Sequence, residues 1–282
     1  MSPPLLAICG TGGTGKTALA NYIITFAGGI PDEVNVETSA AIIRPAESLR
    51  KLLYHGRLGA FSQDLVTQAI PWHAKDWFNA ATGNRYEIPF EAFVPGPRDQ
   101  QLYQTLADLI DSVFANPELY SDEFTVNNKS TDLYRPIITA VGFTLGQMAT
   151  RYVRINHVPG MTNIWNNVAM DEVIRRRSRY PNLPLQTVTG MRLPGDEVPV
   201  RESGGYVFKV VRRDQPDSNL PTEQGGIKAD YVILNDASLL ELELTALSIW
   251  QNLNGPTPIP AGDARQLEIS CAQGFDPTRI IT

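Results

Sequence analysis

Apolar and polar positions along the chain form short runs that predict strands and helices in alternation. An apolar run at Leu5–Cys9 predicts a buried strand, and helical spacing begins at Lys16 after a glycine-rich stretch. Helical spacing returns at 45–54, 101–114, 135–152, 161–177 and 236–250, and strand-like runs occur at 33–38, 185–188, 206–211, 231–234 and 267–271. This alternation favours an α/β fold, a parallel sheet covered by helices on both faces.

The length of 282 residues favours one large domain with an insertion over two full domains, since single cores stop growing near this size. We assign residues 1–251 to the main domain. Residues 56–130 mix prolines and aromatic residues with one amphipathic helix, and we interpret them as an insertion that packs over the functional site. Residues 252–282 form a tail rich in proline and glycine.

Charge and cysteine content exclude several classes of protein. The net charge of −6 and the pI near 5.2 argue against stable nucleic-acid binding, which needs a basic face. No stretch approaches the roughly 18 apolar residues of a membrane span, and the first residues lack the pattern of a signal peptide. Cys9 and Cys271 are too few for a disulfide framework or a zinc site. We therefore expect a cytoplasmic protein without a membrane partner.

One motif carries specific chemistry. It matches G-x-x-x-x-G-K-[ST] in full and lies between a predicted strand and a predicted helix. Its glycines allow successive backbone N–H groups to point at phosphate oxygens, and the start of the helix adds its positive end. The lysine reaches the outer phosphates and the final hydroxyl ligates Mg²⁺. The sequence thus predicts a nucleoside triphosphate with Mg²⁺, held by Gly10, Thr11, Gly12, Gly13, Thr14, Gly15, Lys16 and Thr17.

The rest of the chain favours a small-molecule kinase among proteins with this motif. It has no apolar strand that ends in Asp-Glu, as in helicases and motors, and no N-K-x-D guanine signature. A kinase must neutralise two sets of phosphates, which arginines from several segments can do. The arginines near predicted element ends are Arg44, Arg50, Arg135, Arg192 and Arg212.

The C-terminal half carries a family resemblance. Its segments are Tyr206–Arg212, then Thr222-Glu223, then Asp230-Tyr-Val-Ile-Leu-Asn235-Asp236-Ala-Ser238-Leu-Leu-Glu-Leu. Together with the glycine motif, Ala46–Arg50 and Arg135–Gly142, they resemble the deoxynucleoside monophosphate kinases of tailed bacteriophages, a branch of the P-loop nucleoside monophosphate kinases. The resemblance covers about half of the chain, in order.

The resemblance implies a P-loop three-layer fold and a role for each matching residue. Lys16 and Thr17 would serve ATP and Mg²⁺, and Arg212 would be the lid arginine of a segment at 213–227. Arg50, Arg135 and Arg192 would grip the monophosphate acceptor. From the residues alone, Arg44 is a further candidate, and we expect the 56–130 insertion, which the resemblance does not cover, to select the acceptor. Asn235 and Asp236 follow a predicted strand at the same edge of the sheet, which makes their loop a candidate to frame the adenine; the competing interpretation is a helix N-cap at Asp236 or Ser238.

One departure from the family pattern concerns the metal. Gly190-Met-Arg192 stands where the family commonly has D-x-R, so a carboxylate near magnesium is missing there, and Asp196 or Glu197 is the candidate replacement. Two alternatives stay open: a related kinase with an acceptor such as dephospho-coenzyme A, and a nucleotide-dependent switch or DNA-packaging ATPase. The sequence also leaves a homodimer, ribose against deoxyribose selectivity and the base preference open.

Overall fold

The computed structural model describes residues 3–59, 61–125, 128–129, 131–155, 163–212, 226–253 and 267–270. The chain divides into two compact units: unit 1 comprises Met1–Thr38 and Ala169–Thr282, and unit 2 comprises Ser39–Val168. Unit 2 therefore extends beyond both ends of the predicted 56–130 insertion.

Unit 1 is built on a parallel sheet. Its six described strands are β1 (Leu5–Cys9), β2 (Asn35–Glu37), β3 (Gln186–Thr189), β4 (Tyr206–Val211), β5 (Tyr231–Leu234) and β6 (Leu267–Ser270). They lie in the order β2-β3-β1-β4-β5-β6, and every neighbouring pair is parallel. The carboxyl ends of all six strands consequently meet at one edge of the sheet, as expected for the predicted α/β fold, which is confirmed.

The described helices number ten across the two units. In chain order they are α1 (Lys16–Phe26), α2 (Pro31–Val34), α3 (Ala40–Leu58), α4 (Gln63–Ala81), α5 (Gln100–Ala115), α6 (Arg135–Thr139), α7 (Gly146–Ile155), α8 (Ile164–Arg179), α9 (Val198–Glu202) and α10 (Leu239–Leu253). A π-helical segment, Ala140–Leu145, joins α6 to α7, and short 3-10 turns lie at Phe90–Phe93 and Pro117–Tyr120.

Helices cover both faces of the sheet because the side chains of each strand alternate between the faces. On one face Leu6 and Ile8 of β1 share a buried cluster with residues of α1 and α10. On the other face Leu5 and Ala7 share a cluster with residues of α8 and α9. All five residues of β1 are buried, as a continuous apolar run in a parallel sheet requires. The predicted coverage of both faces is confirmed.

Unit 2 is helical and has a core of its own. The largest side chains in that core are Phe78, Phe93 and Trp165, each at most 1% exposed, and Phe78 contacts both others ring to ring. The predicted helix 135–152 is interrupted by the π-helical segment. There the Trp165 indole N–H donates to the Gly142 carbonyl oxygen at 3.1 Å. The whole of α4 was missing from the sequence prediction.

Candidate functional site

The Gly10–Gly15 segment, here called the glycine loop, leaves the carboxyl end of β1, between the neighbouring strands β3 and β4. Gly10, Gly13 and Gly15 have φ angles of 146°, 76° and 93°, a region that side chains with a Cβ rarely adopt. A Cβ on Gly10 would lie 2.3 Å from the Val210 carbonyl oxygen. The glycines therefore allow both the loop's turns and its close approach to β4.

Helix α1 begins at Lys16, immediately after the loop. Its N-cap residue is Gly15, so no side chain caps the first backbone N–H groups. Thr17 is exposed in the first turn, and the Lys16 ammonium donates to the Thr11 carbonyl oxygen at 2.9 Å. The glycine loop, a helix N-terminus without a side-chain cap and an ammonium group lie together here, which is an arrangement suited to an anion.

The side chain of Asn235 holds the glycine loop from β5. Asn235 follows the last residue of that strand, is 8% exposed, and its side-chain amide donates to the Thr14 carbonyl oxygen at 2.8 Å. A Cβ on Gly15 would lie 2.5 Å from the Asn235 amide nitrogen, so the contact also requires glycine at that position. The sequence analysis made Asn235 a candidate to frame the adenine and did not predict this contact. Only its position at a strand end signalled it.

The residues after Asn235 begin helix α10. The backbone N–H of Ser238 donates to a Glu241 carboxylate oxygen at 2.7 Å, and the Ser238 hydroxyl donates to the same oxygen at 2.6 Å. The Glu241 N–H lies 3.4 Å from the Ser238 hydroxyl oxygen, which completes a capping box. These bonds lower the pKa of Glu241 below its ordinary value. The N-cap interpretation is thus confirmed at Ser238, whereas Asp236 is an exposed residue before the cap.

The loop after β3 carries Arg192 at the same edge of the sheet. Gly190 has a φ angle of 88°, and Arg192 stands between the buried residues Met191 and Leu193. The side chain of Asp196, 1% exposed, accepts the backbone N–H groups of Arg192 at 2.9 Å and Leu193 at 3.0 Å through one carboxylate oxygen. Arg192 is half-buried.

The thiol of Cys9, the last residue of β1, is buried near charged residues of this loop and of β4. Burial raises the pKa of the Cys9 thiol to about 12. The positive charge of Lys209, which pairs with Cys9 from β4, lowers this pKa in part. The negative charges of Asp196 and Glu197 raise it further. The raised pKa keeps the buried thiol protonated at neutral pH, which makes it a poor nucleophile. Asp196 and Glu197 therefore lie close enough to Cys9, the residue before the glycine loop, to influence it electrostatically.

Arg212 follows the last residue of β4 and is half-buried at the same edge. The predicted lid at 213–227 lies outside the described residues except for its last two positions, and most of the 252–282 tail lies outside them as well. Unit 1 thus brings together at one sheet edge the glycine loop, Lys16, Thr17, Arg192, Arg212 and Asn235.

The remaining predicted acceptor arginines belong to unit 2. Arg44 is exposed on α3. Arg50 is 4% exposed; its guanidinium donates twice to the Glu47 carboxylate, at 2.6 and 2.8 Å, and again to the Tyr120 carbonyl oxygen. Burial opposes the ionised form of Glu47, but hydrogen bonds from Arg50 and a backbone N–H lower its pKa overall. Arg50 is therefore engaged in holding its own unit together, and Arg135 begins α6, half-buried.

Metal-ligating side chains are sparse in the described part of the chain. No group of three or more His, Cys, Asp or Glu residues there could hold a metal ion. The Thr17 hydroxyl at the start of α1, beside the glycine loop, would nevertheless suit Mg²⁺ that arrives on a nucleotide, because Mg²⁺ takes most of its ligands in such sites from phosphates and water. Thr17 is the residue that would hold it.

Comparison with known proteins finds no match: no protein-family model and no curated protein corresponds to this chain. Among the described helices, none has both the length and the apolarity needed to cross a bilayer.

Proposed function

We propose that the protein is a P-loop kinase that uses ATP and Mg²⁺ to phosphorylate a nucleoside monophosphate. The observation that supports it most is the glycine loop: a complete G-x-x-x-x-G-K-[ST] motif that leaves the carboxyl end of a central parallel strand. Ligands of open α/β sheets bind outside the carboxyl ends of the strands, where strand order reverses. Here β1 lies between β3 and β4, and β2 lies on the side opposite β4.

In the proposed reaction the glycine loop binds the β- and γ-phosphates through backbone N–H groups. Lys16, which donates to Thr11 in the structure, exchanges that carbonyl oxygen for a phosphate oxygen. Bound Mg²⁺ offsets negative charge on the phosphates. The acceptor phosphate attacks the γ-phosphorus in line, so the chain needs no covalent nucleophile, only positioned cations. Arg192 and Arg212, at the ends of the loop-flanking strands β3 and β4, are the cations we assign to the transferring and acceptor phosphates.

The nature of the acceptor rests on the family resemblance. We propose a deoxynucleoside monophosphate, phosphorylated to the diphosphate for phage DNA precursor synthesis in the cytoplasm of an infected cell. The acceptor roles of Arg44 and Arg135, which belong to unit 2, stay predictions from the sequence. Arg50 is left out of the proposal, because Glu47 and Tyr120 already bind its buried guanidinium. The lid role of 213–227 and the adenine role of Asp236 stay predictions.

The test is ADP formation from Mg²⁺-ATP in the presence of each ribo- and deoxynucleoside monophosphate. We expect strong stimulation by one or more deoxynucleotides and its loss in Lys16→Ala. A dephospho-coenzyme A kinase would respond to that acceptor alone. ATP hydrolysis that ignores every monophosphate but responds to DNA or a protein partner would refute the proposal in favour of a switch or motor.

A further inference from the structure

The buried carboxylate of Asp196 binds the backbone of the loop Gly190–Asp196 on both sides of Arg192. One oxygen of Asp196 accepts the N–H groups of both Arg192 and Leu193, and the Asp196 N–H donates to the Leu193 carbonyl oxygen at 3.0 Å. The side chain is 1% exposed. Three hydrogen bonds between Asp196 and two residues of the loop fix the backbone on both sides of the Arg192 Cα–C bond.

The neighbours of Arg192 add to this constraint. Met191 is 1% exposed and belongs to the buried cluster shared by β1 and α8, so the backbone is anchored immediately before Arg192. Leu193 is 9% exposed and anchors it immediately after. Arg192 is consequently the one half-buried residue of this triplet, and the direction in which its side chain leaves the loop is set by the bonds to Asp196.

We infer that Asp196 is a positioning residue for Arg192, and that it acts by accepting two backbone N–H groups and not by supplying negative charge to a metal. This inference rests on the proposed function in so far as Arg192 contacts a phosphate. It also bears on the carboxylate missing at Gly190: the two N–H groups engage one of the two Asp196 oxygens, and the substitutions below test whether the charge of the carboxylate matters as well.

Two substitutions separate the two roles of a carboxylate. Asp196→Asn removes the charge but keeps an oxygen that can accept both N–H groups. Asp196→Ala removes both the charge and the acceptor. A positioning role predicts that Asp196→Asn keeps the wild-type amide exchange and kcat/KM and that Asp196→Ala does not. A role through charge predicts that both variants lose activity.

The first readout needs no enzymatic activity. Hydrogen exchange of the backbone amides in 190–195 should stay slow in Asp196→Asn and become at least about tenfold faster in Asp196→Ala, since the two amides lose their acceptor. Equal exchange in all three proteins would overturn the inference. This result stands whether or not the protein is a kinase.

The second readout tests action through Arg192. Asp196→Ala should lower kcat/KM for the monophosphate at least about tenfold in the wild-type background, mainly through KM, and less than about threefold when Arg192 is already alanine. Asp196→Asn should stay within about threefold of wild type. Equal losses in both backgrounds would show that Asp196 acts elsewhere and would overturn the inference. Absence of any monophosphate-dependent turnover would instead refute the proposed function, and the hydrogen-exchange rates alone would then decide whether Asp196 holds the loop.

Discussion

Replacing Asn235 tests whether the glycine loop depends on the contact from β5. Asn235→Ala removes the donor that lies 2.8 Å from the Thr14 carbonyl oxygen, in a place where Asn235 is 8% and Thr14 1% exposed. A buried polar group that loses its partner costs about 1–3 kcal/mol. Because the group lies in the loop itself, we expect part of this cost in the free energy of unfolding and part in nucleotide affinity.

The affinity loss follows from the same figure. If about 1.4 kcal/mol of the cost falls on the bound state, the dissociation constant of Mg²⁺-ATP rises about tenfold. At neutral pH Asn235→Asp should weaken Mg²⁺-ATP binding more than Asn235→Ala does. Its ionised carboxylate has no hydrogen to donate and would repel the Thr14 carbonyl oxygen. Burial and that carbonyl both raise the pKa of the introduced carboxyl in the folded state. Its defect should therefore shrink as the pH falls and the carboxyl becomes protonated.

Asn252 provides a matched control. Its side-chain amide donates to the Ser248 carbonyl oxygen, also at 2.8 Å, near the opposite end of α10. Calorimetric titration with Mg²⁺-ATP and urea unfolding of Asn235→Ala, Asn235→Asp and Asn252→Ala form one experiment. Asn252→Ala should lower stability at most modestly and leave nucleotide affinity unchanged. Equal affinities in all three variants and the wild type would refute the claim that Asn235 shapes the binding loop.

Three further predictions concern strain, charge and capping. Gly15→Ala should lower Mg²⁺-ATP affinity at least about tenfold, because the added Cβ would lie 2.5 Å from the Asn235 amide nitrogen. Gly28→Ala is the control, since Gly28 has a φ of 74° and nothing within 4 Å of the added Cβ. It should bind Mg²⁺-ATP normally and lose only the backbone cost of about 1–2 kcal/mol in urea unfolding. Glu47→Ala leaves the buried Arg50 guanidinium without its carboxylate and should lower the free energy of unfolding by about 3–5 kcal/mol at pH 7. The pKa of Glu47 is lower in the folded state than in the unfolded chain, so its contribution to stability is present at neutral pH and is lost progressively as the pH falls below about 4.3. In urea unfolding at a series of pH values, the difference in unfolding free energy between wild type and Glu47→Ala should therefore shrink below that pH. A difference that stays constant with pH would contradict this expectation. Ser238→Ala should cost about 1 kcal/mol by removing the cap of α10, measured by urea unfolding with unchanged nucleotide affinity, and no loss of stability would contradict the capping role.

Strands β1, β4 and β5 could be predicted because each is an apolar run, interrupted only by Lys209 in β4. The predicted bounds of Leu5–Cys9, Tyr206–Val211 and Tyr231–Leu234 agree with the observed strands. The period of 2 is hidden in such runs, but burial on both faces makes the run itself the signal. Helix ends were less accurate: the predicted helix 45–54 begins in fact at Ala40, because the residues before Pro45 continue the helix despite the proline.

Unit 2 was harder to predict for a physical reason. Helix α4 carries Pro71 in its interior and exposes Trp72 and Leu65, so its apolar positions do not form a single stripe. Residue spacing also shows no sign of the π-helical segment, where the helix widens next to the Trp165 side chain. Both features depend on contacts between residues distant in sequence.

In the candidate site, too, some features could be predicted from the sequence and others could not. The position of the glycine loop between β1 and α1 was predictable because its motif has particular residues at fixed spacing, whereas its phosphate chemistry stays a prediction. The hydrogen bonds of Asn235 and Asp196 were not predictable, since both are made to backbone atoms, in a distant segment for Asn235 and within its own loop for Asp196. Residue identity alone does not indicate such bonds. Arg50 shows the converse: a matching residue in sequence whose guanidinium is engaged by Glu47 within its own unit.

Transfer of a phosphoryl group to a nucleotide at the glycine loop is the central claim for this protein. The most direct measurement follows the label from γ-³²P-ATP with Mg²⁺ and a mixture of deoxynucleoside monophosphates, separated by chromatography. We expect label in a deoxynucleoside diphosphate, with none formed by Lys16→Ala. Label released only as inorganic phosphate, in the wild type as in reactions without a monophosphate, would contradict the claim.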